Sequence, residues 1–227
     1  MTRGDIISRF RQENPSVTKN VATSAVLQSW TEIGNLEIAT KARLIRGETT
    51  FPSIIDKTEY NLTTEIPKFY DIDELPGSGV IYDNRQIDSK SISLLDQQRP
   101  SWRTQANGVP RDYYRRNQFL NLGRKPSAVK DILVYTVLIA DPLDDDSKTP
   151  FNQFAHLEPF HYALVLYLEK RVYGNKVIRK FSEMTATEEY NAYVSWITKE
   201  TQRGIYDNIQ IRPPTTYKAA GRYRTRR

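Results

Sequence analysis

The chain has 227 residues with 38% hydrophobic content, enough to bury a core as one large or two small domains, and its zero cysteines exclude disulfides, Fe–S clusters, thiolate zinc sites and cysteine nucleophiles. The net charge of +6 is a local feature. Residues 203–227 hold seven basic side chains against Asp207 alone, and the remaining 202 residues balance, so the sequence is a neutral body with a basic end.

Gly4–Glu13 reads as a short helix with Ile6, Ile7 and Phe10 on one side, stopped at Asn14-Pro15. The charges at Arg3, Asp5 and Arg9 stand where a signal peptide would need an apolar core, so synthesis in the cytoplasm is expected. Thr23 or Ser24 caps a longer helix predicted to run to about Arg46, with Val26, Trp30, Ile33, Leu36, Thr40 and Leu44 near helical spacing. Gly34 within it costs about 1 kcal/mol relative to alanine and allows a break.

From Glu48 to Ala140 the period shortens. Thr49–Ile55, Tyr60–Thr64, Lys68–Ile72 and Gly79–Tyr82 are rich in β-branched and aromatic residues and are divided by Pro52, Pro67, Pro76 and Gly77. Tyr82-Asp83-Asn84-Arg85 reads as a tight hairpin turn, and Asn117-Gln118 as a second one between Tyr113–Arg116 and Phe119–Leu122. Ser91–Gln98 reads as a short helix closed by Arg99-Pro100. The stretch Leu94–Pro126 sets Trp102, Tyr113, Tyr114 and Phe119 among Arg99, Arg103, Arg111, Arg115, Arg116 and Arg124, with turn signals at Asn107-Gly108 and Val109-Pro110. Such a mixture can stack single-stranded nucleic acid. With Asp112 interleaved and a neutral body, a protein contact is the favoured reading, carried by Trp102, Arg103, Tyr113 and Arg115.

Beyond Pro150 the helical period returns, with Pro159 suited to a first turn. Phe160–Leu168 contains no charged residue, so both sides of that helix are expected to be covered, one by the core and one by a neighbouring subunit through Phe160, Tyr162, Leu166 and Tyr167. Thr185-x-x-Glu188 is a capping-box start for a last helix carrying Tyr190, Tyr193, Val194 and Ile197, closing before Gly204. The end, with Pro213-Pro214 and many arginines, reads as an extended arm.

Catalytic and metal chemistry finds no constellation. His156 and His161 are five apart, which on a helix sets them about 140° from one another rather than on one face. Asp141, Asp144, Asp145 and Asp146 lack the glycine and glutamate of a calcium loop and read as a solvated acidic loop. Gly77-Ser78-Gly79 lies between strands, with no helix behind it to hold a phosphate. No enzyme activity and no cofactor are expected.

The succession of a Trp-Arg, a Gly-x-Pro, a Tyr-Tyr strand, a short turn, the strand Ile132–Ala140, the acidic Pro-containing loop Asp141–Pro150 and the helix opening Leu157-Glu158-Pro159-Phe160-His161 resembles the head–tail adaptor (connector, or neck-ring) proteins of tailed bacteriophages, over residues 20 to 203. The resemblance implies a structural virion protein at the head–tail interface. It implies a closed ring of identical chains, often twelvefold, seated on the portal, receiving a tail or nozzle component and leaving a channel for genomic DNA.

The fold expected is α+β: a helical bundle formed by the N-terminal (1–47) and C-terminal (141–203) helices, an inserted all-β domain (48–140) and an extended basic arm (204–227). Ile205, Tyr206, Ile209, Ile211, Arg212, Tyr217, Arg222 and Arg224 are the arm's candidates for docking on the portal, with alternation over 205–211 suited to a strand added to a partner's sheet. The alternative is a DNA-binding or packaging-associated protein acting through the same arm. No membrane contact is expected.

Overall fold

In the computed structural model, which describes residues 1–74, 78–174 and 180–207, one strand supports most of the sheet: Asp131–Leu138, reading DILVYTVL. Ile132, Val134, Thr136 and Val137 are buried along it, the alternation of a strand with one face on a core. The strands in chain order are β1 (Arg46–Pro52), β2 (Glu59–Asn61), β3 (Phe69–Ile72), β4 (Val80–Tyr82), β5 (Arg85–Ser89), β6 (Asp112–Arg116), β7 (Phe119–Leu122) and β8 (Asp131–Leu138).

They join in the order β1-β8-β4-β5-β6-β7-β2. β1 lies antiparallel along one edge of β8, from Arg46 opposite Val137 to Pro52 opposite Asp131. The other edge is shared: β4 pairs with Ile132–Val134 and β3 with Thr136–Leu138. β5 and β6 run parallel, with Asp88 opposite Asp112, and a parallel pair needs a crossover. That crossover carries a helix, Ile92–Gln98, and a 3-10 turn, Trp102–Thr104.

Local hydrogen bonding explains the turns and the short helices. Asp83 and Asn84 both take positive φ (49° and 61°), the pattern of the tight turn that matches strand twist, and Asn117 (φ 54°) turns β6 into β7. The side chain of Asn61 accepts from Thr63 N and opens a single helical turn, Leu62–Glu65, whose Leu62 and the following Ile66 enter the β core with Phe51, Tyr60, Phe69, Val80 and Tyr113.

The contacts divide the chain into two units, Met1–Leu44 with Ala140–Arg227, and Ile45–Ile139. With α3 (Leu62–Glu65) and α4 (Ile92–Gln98) inside the second unit, the helices of the first are α1 (Arg3–Glu13), α2 (Ser24–Lys41), α5 (Tyr162–Gly174) and α6 (Lys180–Asp207). Thr2 and Asp5 form a reciprocal capping box at α1, and Thr23 caps α2 by accepting from Val26 N. α1, α2 and α6 all pack on α5, whose Ala163, Leu164, Val165, Tyr167 and Leu168 are fully buried.

The fold class expected from sequence is corrected. The protein is β-dominated, a mixed sheet of eight strands curled into a half-barrel with six α-helices among the described residues, rather than a helical bundle carrying an all-β insertion. The segment read as all-β contains α3 and α4 and a parallel pair, because the crossover from β5 to β6 consumes a helix. Hydrophobic period detects strands but not their partners, so the extent of one continuous sheet was not visible.

Boundaries also shift. α2 ends at Lys41, since Arg43 takes positive φ (51°) and the chain is already in β1 at Arg46. The helix expected from Leu157 begins as a 3-10 segment, Ala155–Phe160. α6 starts by Lys180, ahead of Thr185, and continues through Gly204 to Asp207, so glycine alone does not end it and Ile205 and Tyr206 are helical rather than strand-like. The remainder of the expected arm lies outside the described residues.

Candidate functional site

The crossover between β5 and β6 gathers the arginine-rich stretch. Ser91 caps α4 by accepting from Leu94 N, and the helix ends at Arg99 before Pro100. Trp102 folds back beneath: its Nε1 donates to Asp96 Oδ1 at 2.8 Å, while the Arg103 guanidinium lies 4.7 Å over its ring and pairs with the same carboxylate at 2.7 Å. Tyr114 meets the indole edge-on at 5.6 Å.

Asp112, at the start of β6, is 1% exposed and accepts from Lys90 Nζ at 2.8 Å and Arg99 Nη1 at 2.6 Å. The pair ties the chain on either side of α4 to the sheet. Tyr113 is buried beside it, its hydroxyl 3.4 Å from Glu74 Oε1, and burial pushes the phenol up to about 12. Arg115 pairs with Asp71, donates to the Asn117 carbonyl at 2.6 Å and lies over Phe69 at 5.4 Å. Of the four residues expected to make contacts from this region, Trp102 and Tyr113 are therefore interior supports. Arg103 and Arg115 present charge at the surface.

Beside this support opens a pocket of about 290 Å³ lined by Arg99, Gln105, Val109, Arg111 and Arg124. Arg124 donates from Nε to the Ala106 carbonyl at 2.8 Å and from Nη2 to the Asn107 carbonyl at 3.3 Å. Its guanidinium passes directly against Gly108, where a β-carbon would stand 2.7 Å from Nε. Gly108 is in turn fixed by its N–H to the Lys125 carbonyl at 2.9 Å and by Ser127 N to its own carbonyl at 3.2 Å. Sequence reading registered these arginines and the Asn107-Gly108 turn separately. Their convergence depends on the last loop of the crossover, after its 3-10 turn, lying on the chain that follows β7.

In the helical unit, Phe160, Leu166 and Tyr167 are buried within their own chain and Tyr162 is half-buried. Phe160 meets Trp196 edge-on at 5.6 Å, and Tyr167 meets Tyr190 at 5.6 Å while accepting from Arg171 at 2.7 and 2.9 Å. The second cover expected for this helix is thus supplied by α6. The Tyr162 hydroxyl donates to Glu13 Oε2 at 3.0 Å under the Arg9 guanidinium, and burial together with that carboxylate raises its pKa.

The opposite situation holds on α2. Its inner side (Leu27, Gly34, Ile38, Ala39) is buried, while Val26, Ile33 and Leu36 are 37–42% exposed on the outer side, around a half-buried Trp30.

The two histidines are apart in role. His161 is 1% exposed with Nδ1 3.0 Å from the Met1 amino group, and burial first, then that ammonium, lowers its pKa to about 4. His156 stacks on Phe154 at 5.5 Å. In the acidic loop Asp144 pairs with Lys148, Asp145 caps Ser147 N, and Asp146 accepts from Arg3 at 2.7 Å and Gln28 at 2.9 Å. Among the described residues no group of three acidic or histidine side chains is placed to hold a metal ion, and no helix is long and apolar enough to cross a membrane.

Of the arm residues, Ile205 and Tyr206 belong to the backbone of α6, and Ile209, Ile211, Arg212, Tyr217, Arg222 and Arg224 lie outside the described residues. No family model matches the chain, and neither does any curated protein.

Proposed function

We propose that this chain is a structural protein, the protomer of an adaptor ring between the portal and the tail of a tailed phage, with a central channel for DNA. The observation that carries the reading is the outer side of α2. Val26, Ile33 and Leu36 recur along about 15 Å of helix on the side turned away from α5, the spacing of a seam awaiting a second helix or sheet. The order of segments from Trp102 to His161, with its likeness to adaptor proteins, supports a second copy of the chain as the occupant. A seam that meets a different surface on the next copy is heterologous, and such contacts close into rings when the rotation allows.

Three half-exposed side chains are a nucleus and not an interface. A stable contact buries about 800 Å² on each partner, so further surface must join these three. The basic end, with Arg212, Arg222 and Arg224, docks on the portal.

Mass photometry and negative-stain images of the full chain, alone and mixed with a candidate portal protein, test this. Closed rings in either sample are expected. A protein that stays monomeric over the accessible concentration range and leaves portal particles undecorated overturns the proposal.

A further inference from the structure

We propose that the pocket bounded by Arg99, Arg111 and Arg124 is a binding site for a phosphate group. This does not depend on the ring assignment. Three guanidinium groups line about 290 Å³ together with the amide of Gln105, and no carboxylate is among the lining residues. The nearest buried acid, Asp112, is already shared by Lys90 and Arg99. Arg111 is exposed; its carbonyl accepts from Asp88 N at 3.0 Å, while its guanidinium has no hydrogen bond or ion pair among the described residues.

The site is held in place before any ligand arrives. Arg124 spends Nε and Nη2 on two backbone carbonyls and keeps Nη1 without a hydrogen bond among the described residues, and the absence of a side chain at Gly108 is what lets its guanidinium lie there. Arg99 is oriented by Asp112 through one nitrogen and keeps the rest of its fork. Fixing these long side chains in advance removes part of the entropy cost of binding.

The number of donors selects the ligand. A carboxylate has two oxygens and one charge and is satisfied by two cations, as Asp112 is here. A phosphate offers three or more terminal oxygens and up to two charges, and arginine forks match its geometry two bonds at a time. The volume takes one phosphate with a small part of whatever bears it, and the open mouth admits either the free ion or a phosphate within a nucleic-acid strand.

Isothermal titration of the full chain with inorganic phosphate at low ionic strength, beside Arg111→Gln and Gly108→Ala, tests the proposal. Arg111→Gln should melt like the parent, since the side chain holds nothing, and should bind phosphate about tenfold more weakly or worse, the loss of a charged hydrogen bond. Gly108→Ala should also weaken binding by displacing Arg124. Competition by a short single-stranded oligonucleotide that is itself sensitive to Arg111→Gln assigns the phosphate to a nucleic-acid strand, and phosphate binding without such competition assigns it to the free ion. Phosphate binding that is equal in parent and Arg111→Gln, or absent from both, overturns the site. So does Arg111-dependent binding of an acidic peptide where phosphate fails to bind, which makes the pocket a carboxylate socket for a protein partner.

Discussion

Gly34 of α2 lies so close to the ring of Tyr167 that a β-carbon at position 34 would stand 2.6 Å from its Cδ1 and 3.1 Å from Leu164 Cδ2. Helix propensity favours alanine over glycine by about 1 kcal/mol, and overpacking a closed site costs about 1–3 kcal/mol. The ring cannot yield cheaply, being held by Arg171 on its hydroxyl and Tyr190 on its edge. Gly34→Ala should therefore lower stability by about 1 kcal/mol net in urea unfolding, against the propensity scale. A stabilised variant would show that the Tyr167 ring has room to move.

Asp112→Asn should destabilise the β unit by about 1–3 kcal/mol. It leaves Lys90 and Arg99 without their shared carboxylate, though the more exposed Arg99 can rehydrate, which keeps the loss below that of a fully buried pair. A double-mutant cycle with Lys90→Met measures the coupling. An additive cycle would mean that Arg99 alone carries the interaction.

His161 makes stability depend on pH in a predictable direction. Its folded pKa, about 4, lies below the ordinary 6.5, so between those values the unfolded chain binds the extra proton and the native state loses stability as pH falls through the window. The total amounts to about 3 kcal/mol at most. Glu169, whose pKa is raised chiefly by burial, acts in the opposite sense at the acid end. Comparing melting midpoints of the parent and His161→Gln from pH 7 to pH 4 isolates the histidine, and parallel curves would rule out its contribution.

Ile33→Asp should leave the monomer folded and block self-association. The side chain is 42% exposed on the outer side of α2, and its removal touches none of the buried positions of that helix. Circular dichroism and mass photometry together decide it. A folded Ile33→Asp chain that still forms the parent's assemblies would move the subunit contact away from α2.

Features governed by a few neighbouring residues could be read directly. Thr23 caps α2, the short helix α4 closes before Arg99-Pro100, Asp83-Asn84 and Asn117 turn their hairpins, and the uncharged stretch Phe160–Leu168 is interior. Each depends on hydrogen bonds or steric limits spanning about four residues, or on composition alone, so a single chain read in order contains the needed information. The single turn at Leu62–Glu65 was missed because it is too short to show a period and rests on one side-chain cap at Asn61.

Only tertiary structure could decide the pairings. Arg46 meets Val137 across 90 residues, and β3 and β4 divide one edge of β8 between them, because a strand's period says which side chains face a core and nothing about which backbone edge completes its hydrogen bonds. The same holds for the site. The sequence determined that arginines would be dense between residues 99 and 124, but the parallel step from β5 to β6 and the turn at Gly108 decided that Arg99, Arg111 and Arg124 share one pocket, since bringing like charges together is a work of backbone geometry that local preference opposes.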